Sequence, residues 1–588
     1  MESAVFSLMS RFKVKILLGV LLLSAGLLAR GSNLFAANED RSVNFGASAA
    51  VQESKIREQA QEQLFQPKAA KPVAFEEEEV PEAPATGPSF FIKKIFLEGD
   101  VMLEPGEYEP LLQKFEGREV RFDELKKLIN ALEQLSRAKG YIAVVLLPPQ
   151  KMENQEVHLK AVTSRMGDLS VEKNRYYAKW RTRAYWKIRK GDILHYDKIR
   201  QNVMDMNENP DRTVKPILKA GAEKGTTDVV LDVEDRLPIH AGYSFDNQGV
   251  KLTGKDRQGF TLRNNNILGL DDTFLIGTTF GKAFGALYLY HVIPVSNFGT
   301  KFIWSISHAQ VNPKKEFSIY GINGTSETYS LALQQRVIRT EKYSGNVQLG
   351  FDFKEKHTLT QSVTTAWDKE RVISLTGNLQ SRDRWGGWGL SQGVYFGLPT
   401  FGDGWALASG GGEQSFFKYT YSMTRVTQLP WRTKAIWDVQ GQLTPNKLLP
   451  QEQMFLGGAR SIRGYPESDY GADQAIQSRL DYLLPPYGMP DQWRLPYDTA
   501  PLKEHLNAIG FFDVGYGRVH DPAIVQENVT DSGNSEKRAD FLMGVGGGFE
   551  LRFRSNISAR LEWGIPLGDK PITEAGHSQL HFTFNVNY

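Results

Sequence analysis

Two short stretches hold the residues best suited to specific chemistry. In Leu456–Tyr465, LGGARSIRGY, Arg463 stands between Ser461–Ile462 and Gly464–Tyr465. Fifty residues on, Gly510–Gly515 reads GFFDVG and sets Asp513 among Phe511, Phe512 and Gly515. A guanidinium is planar and can donate two parallel hydrogen bonds to one carboxylate, which makes Arg463 and Asp513 a candidate ion pair. The glycines around Arg463 imply a loop, and a charge buried there without an anion would be costly. An arginine left exposed on a loop is the alternative, and for Asp513 alone so is a solvated carboxylate. No catalytic constellation accompanies the pair. The ten histidines are scattered without metal-ligand spacing, and His195, in ILHYDKIR, reads as a surface residue. Gly544 and Gly546–Gly548 lack the following helix of a phosphate loop and read as tightly packed strand positions. The absence of cysteine excludes disulfides, thiolate zinc sites and cysteine nucleophiles. With no serine nucleophile elbow either, the chain reads as a non-enzyme without a cofactor.

The elements that must position the pair belong to a region of period-two alternation. Beyond Arg236, Val347, Leu349, Phe351 and Phe353 alternate with Gln348, Gly350 and Asp352. Likewise Ile557, Ala559, Leu561 and Trp563 alternate with Asn556, Ser558, Arg560 and Glu562, and Leu580, Phe582, Phe584, Val586 and Tyr588 with polar residues. Turn-like clusters at Gly269–Asp272 and Asn297–Gly299 separate such segments. Strands with one fully apolar face, aromatic near their ends, fit a transmembrane barrel, where every backbone polar group must be paired inside the protein. A barrel also fits a mean hydropathy of -0.38, too low for a bundle of membrane helices. At 9–11 residues per tilted crossing, residues 237–588 suffice for about 16 strands. A secreted β-sandwich or β-helix is the competing architecture.

The preceding residues are organised differently, as expected of a modular chain of 588 residues. Arg11, Lys13 and Lys15 precede an apolar run, Ile16–Ala29, and small residues at Ala36 and Ala37. This reads as a signal peptide over 1–37, the run being shorter than the ~20 residues a membrane helix needs. Residues 38–89 have linker composition, with the run Glu76–Glu79 and five prolines, and Gln52–Gln66 within them could form a short helix. From Phe90 to Val162 the pattern is α/β: a strand FFIKKIFLEGD, a helix at Glu107–Phe115, and a second helix preceded by Phe122. That helix has Asp123 as N-cap candidate and Leu125, Leu128, Ile129, Leu132 and Leu135 on one face, and it stops at Gly140. The strands YIAVVLLP and EVHLKAV follow. A second pass of the same order fills 163–236, with a helix around Tyr196–Met206 and the strand TTDVVLDVED. The 70 basic and 68 acidic residues nearly cancel, so nucleic acid is excluded as a partner.

Two motifs carry a resemblance to a known family. LGGARSIRGY is similar to the VRGY/F signature of the two-partner secretion transporters (TpsB) within the BamA-like POTRA-and-barrel superfamily, with Ile462 in place of the usual valine. GFFDVG resembles that family's barrel-wall motif, and GVGGGFELRF and ISARLEWGIPLG its closing strands. Upstream, GYIAVVLLPPQ and LKAGAEKGTTDVVLDVED look like parts of tandem POTRA domains, so the resemblance spans Phe90 to Tyr588. It implies an antiparallel β-barrel preceded by two α/β POTRA domains, in a bacterial-type outer membrane with the POTRA domains in the periplasm. It implies a lumenal loop motif, Ser461–Tyr465, whose Arg463 pairs with Asp513 of the wall, and a helix at Gln52–Gln66 that plugs the pore. It also implies an unfolded partner polypeptide as client, outer-membrane lipid around the barrel and a barrel assembly machinery for insertion. The readings kept beside secretion are an outer-membrane protein assembly factor, a passive porin or uptake channel, and a surface adhesin.

Overall fold

In the computed structural model the described residues are 49, 52–57, 59, 76–77, 89–150, 153–250, 253–312, 321–399, 412–495, 498–520, 539–554, 556–568 and 578–588. The expected signal peptide, most of the linker and residues 60–66 of the expected helix lie outside them. They form two compact units, one of residues 68–238 with 268–271 and the other of the rest.

The first unit is built from two small mixed sheets. Lys94–Gly99 runs parallel to Glu156–Thr163, which pairs antiparallel with Ala143–Leu146. The helix Phe122–Ala138 lies on this sheet because Leu125, Leu128 and Leu132 recur on one face and are fully buried with Val120, Val157 and Leu159. Asp123 does not cap it. Arg121 is the N-cap, and Glu124 three residues on folds back to accept its backbone N–H at 3.1 Å, which sets the helix start two residues early. Gly140 ends the helix region at φ +88°, where any Cβ would strike the His195 imidazole. His195 is the N-cap of the helix Tyr196–Met206, its Nδ1 accepting from the Asp197 amide at 3.2 Å. In the second sheet Arg212–Ala220 and Thr226–Asp235 pair antiparallel, and Arg165–Glu172 joins Thr226–Asp235 in parallel. The linker, expected to lack order, supplies Glu76–Glu77 as a parallel edge beside Ile217 and Leu218. Polar composition did not prevent pairing because an edge strand needs only backbone groups.

The second unit is a closed antiparallel barrel of 16 strands. In chain order these are β1 Ile239–Asp246, β2 Arg257–Asn264, β3 Thr273–Gly281, β4 Phe284–Pro294, β5 Thr300–Val311, β6 Ile322–Arg339, β7 Tyr343–Thr360 and β8 Val363–Asp383. They continue as β9 Gly386–Leu398, β10 Phe417–Gln428, β11 Lys434–Leu443, β12 Gln474–Leu484, β13 Leu506–Arg518, β14 Ala539–Phe553, β15 Ile557–Pro566 and β16 Gln579–Asn587. Each pairs with its sequence neighbour, and β1 closes on β16 from Gly242↔Asn587 to Asp246↔Thr583. The alternation read from the sequence sorts residues between the two faces. Leu349, Phe512, Tyr516, Trp563 and Leu580 are exposed on the outside, while Asp513, Glu562 and His581 are buried inside. Among the described residues no helix is long and apolar enough to cross a membrane.

Two segments occupy the lumen. One is the helix at residues 52–57, with 49 and 59 also helical. Ala49 and Ile56, two turns apart, pack on Leu275, Phe284, Ala286, Tyr288, Tyr290, Ala309 and Val311 of β3–β5. The other is the β11–β12 connection, residues 444–473, whose hairpin Met454–Leu456/Tyr470–Ala472 carries the Arg463 motif at its tip.

Candidate functional site: the lumenal loop and its anchors

The loop tip can turn so sharply because Gly457, Gly458 and Gly464 all take positive φ, near +100°, a conformation that L side chains rarely adopt. It then lies on a wall where glycines leave room for its backbone. A Cβ on Gly544 of β14 would stand 1.9 Å from the Arg463 carbonyl, and one on Gly564 of β15 2.4 Å from the Gly464 amide. Gly546 makes room for the Phe511 ring. Of the glycines read from the sequence as tight strand positions, Gly544 is part of the bed of the loop, and Gly546 and Gly548 pack closely on β15.

On this bed Arg463 is fully buried and spends its donors on three strands. Nε and Nη2 bind Asp513 of β13 at 2.7 and 2.6 Å, the two-pronged geometry a guanidinium favours, and the Arg463 backbone N–H adds a third bond to Asp513 at 3.0 Å. Nη2 also reaches Asp481 of β12, and Nη1 reaches Glu562 of β15, each at 2.5 Å. The ring of Phe511 lies 3.6 Å from the guanidinium carbon, a cation–π stack on the remaining face. Arg560 closes the circuit, binding Asp481 at 2.5 Å and Glu562 at 2.8 Å. Arg479, opposite Asp513 in the β12–β13 register, donates to the Arg460 carbonyl at 3.0 Å. Two guanidiniums therefore bind three carboxylates, and this pairing is what makes so dense a buried cluster tolerable.

The structure brings the two sequence motifs together and gives most of their residues a contact there. Ser461 donates to Gln477 Oε1 at 2.5 Å and accepts from the Gly457 amide. Ile462 is buried with Leu456, Tyr470, Ala475 and Leu542. Its Cδ1, an atom valine lacks, lies where a Cβ on Gly515 would approach within 3.0 Å. Tyr465 donates toward the carbonyls of Met543 and Gly568 at 3.3 Å. Phe512 alone points away, exposed on the outer face. Sequence reading missed Asp481, Glu562 and Arg560 as partners. Their signal was parity: all three sit at inward positions of strands that flank the Asp513 register.

The lumenal helix makes lighter contacts. Glu53 is buried and accepts from Ser307 of β5 and from Ser326 and Thr328 of β6, the latter two at 3.1 and 3.2 Å. Arg57 lies 3.6 Å from Asp352 of β7. Lys55 ties the helix to the loop, binding Glu467 at 3.0 Å and Ser468 at 2.9 Å.

A closed barrel whose lumen holds an anchored loop and a helix, preceded by two small α/β units, defines an outer-membrane transporter of the POTRA-and-barrel class. The chain belongs to the haemolysin secretion/activation protein family ShlB/FhaC/HecB, which matches residues 225–520, and residues 90–164 match the ShlB-type POTRA domain. It is 22% identical over 500 residues to the heme/hemopexin transporter protein HuxB of Haemophilus influenzae (strain 86-028NP), covering 81% of this chain and 82% of that protein. It is also 22% identical over 398 residues to the outer membrane transporter CdiB of Dickeya dadantii (strain 3937), covering 65% and 70%. Its fold resembles CdiB from Escherichia coli, with a TM-score of 0.63, 18% identity and coverage of 94% and 100%. BamA from Haemophilus ducreyi lacking POTRA domains 1–3 shares the fold with a TM-score of 0.54, 14% identity and coverage of 85% and 100%. The chain is accordingly an outer-membrane transporter of the two-partner secretion type, not an enzyme, and its family secretes partner exoproteins.

Proposed function

We propose that the two α/β units take up an unfolded partner polypeptide in the periplasm and that the barrel passes it outward once the lumenal helix is displaced. The observation that carries this reading is the double occupancy of the lumen: a polypeptide has no path while the helix sits against β3–β7. Sheet edges such as Ala143–Leu146, with Val144 and Leu146 exposed, suit an extended client because main-chain bonds give affinity with little demand on sequence. No nucleotide is available there, so folding of the client outside the cell supplies the drive. In this reading residues 1–37 are the signal peptide, 38–89 a linker with the plug helix, 90–162 and 163–236 the POTRA domains and 237–588 the barrel. Outer-membrane lipid bathes the exposed aromatic face, and the barrel assembly machinery inserts the chain. Arg463 holds the loop in the transport-competent position through Asp513.

The test is Arg463→Ala in the full chain, with secretion of the client and insertion of the barrel measured separately. Loss of secretion from an inserted barrel is expected, and normal secretion would sink the assignment of the loop.

A further inference from the structure

Strands β7 and β8 pair in register with Lys354 opposite Glu370 and Lys356 opposite Asp368. Residues directly opposite in an antiparallel pair project to the same face, with Cβ atoms roughly 5 Å apart. Both pairs face the lumen, so two lysine–carboxylate rungs are expected side by side. One of them is made: Lys356 Nζ lies 3.4 Å from Asp368 Oδ2. The other is not. Lys354 instead binds Glu452, at the stem of the lumenal loop, where Lys418 of β10 joins it at 2.6 Å from Oε2 and 3.1 Å from the Glu452 carbonyl. Glu370 is fully buried and makes no ion pair among the described residues; its polar neighbours are Lys354 and Gln451. A buried carboxylate left this way is costly and calls for a reason.

We propose that Lys354 is a positioning residue with two alternative partners, held by Glu452 while the lumen is occupied and passing to Glu370 when the loop stem withdraws. The inference rests on the reading that the lumenal helix is displaced during transport, and adds that the stem of the loop at Glu452 shifts with it while Arg463 keeps the tip in place. Without a second partner, withdrawal of Glu452 would strand the Lys354 charge on the wall. Glu370, one rung across, takes it over and lowers the cost of the open state, while Lys418 keeps the rings of Tyr395 and Phe416 at 5.2 and 5.9 Å. The helix uses the same wall, through Arg57 on Asp352 two residues from Lys354, so its departure and the exchange free one stretch of β7.

The test is the open fraction of the full-length pore in planar bilayers. Glu370→Gln removes the open-state partner and should lower the open fraction about tenfold, the size of one charge-assisted hydrogen bond. In a Lys354→Met background the same change should do nothing. An open fraction that is unchanged or raised by Glu370→Gln, or lowered equally in both backgrounds, overturns the exchange. The charge swap Lys354→Glu with Glu370→Lys keeps the rung but sets a carboxylate against Glu452, and it keeps the test decisive if the single variant does not insert. It should raise the open fraction, and a swap no more open than the parent overturns the exchange too. Deletion of residues 49–59 reports on the underlying reading. If it raises the open fraction while Glu370→Gln has no effect, only the exchange fails, and if it too has no effect, both fail.

Discussion

The loop tip and the lumenal helix are both held against the inside of one barrel, but by different chemistry. Arg463 meets three carboxylates from three strands and lies on a bed of glycine backbone. Glu53 meets two serines and a threonine, and the described helix residues add apolar contacts at Ala49 and Ile56 and partly exposed ion pairs through Lys55 and Arg57. Lifting Arg463 would leave Asp481, Asp513 and Glu562 crowded together with too few cations. Lifting Glu53 would leave hydroxyls, which water satisfies readily. In the function proposed above the tip is the fixed point and the helix the removable part, and the contrast lies in what each would leave behind more than in how many bonds it makes.

That contrast can be broken from its strong end. Arg463→Ala should weaken the loop's hold by about 3–5 kcal/mol, the usual cost of removing one partner from a buried ion cluster. Limited proteolysis of the inserted barrel, cutting near the tip where the parent is protected, would read this. Next, Gly544→Ala places a methyl 1.9 Å from the Arg463 carbonyl, an overlap that backbone cannot absorb. A loss of about 1–3 kcal/mol is expected for such overpacking, with the same proteolytic signature although every charge is intact. Glu53→Ala should release the helix for about 1–3 kcal/mol, seen as longer open times in planar bilayers with the tip still protected. Weakest of all, Lys55→Ala removes a partly exposed tie worth about 0.2–1 kcal/mol. If Lys55→Ala opened the pore more than Glu53→Ala, the helix would be held by the loop and not by the wall. The lack of native cysteine allows each state to be followed with single introduced thiols.

Much of this was legible in the sequence because a barrel imposes one rule on every strand. Inside–outside parity at Val347–Phe353 and Ile557–Trp563 led directly to the observed faces, and the strand number followed from length. The Arg463 and Asp513 motifs stood out because LGGARSIRGY and GFFDVG resemble the signatures of the two-partner secretion transporters. The other partners did not, since charged residues recur at inward positions and nothing marks Asp481 or Glu562 from a solvated carboxylate. Which inward residues meet depends on how a 30-residue loop folds back, and that is set by tertiary contacts. The helix start at Phe122 was misjudged because Asp123 is a good cap by residue type, while Glu124 folding back on Arg121 won by geometry. The serines that receive Glu53 carried no signal at all.

The glycine bed has one more consequence. Gly544 of β14 and Gly564 of β15 admit only main chain at the Arg463 carbonyl and the Gly464 amide, while Asp481, Asp513 and Glu562 beside them take the guanidinium. The wall therefore reads the tip twice, its backbone by shape and its side chain by charge, and a segment that satisfies one test without the other does not fit.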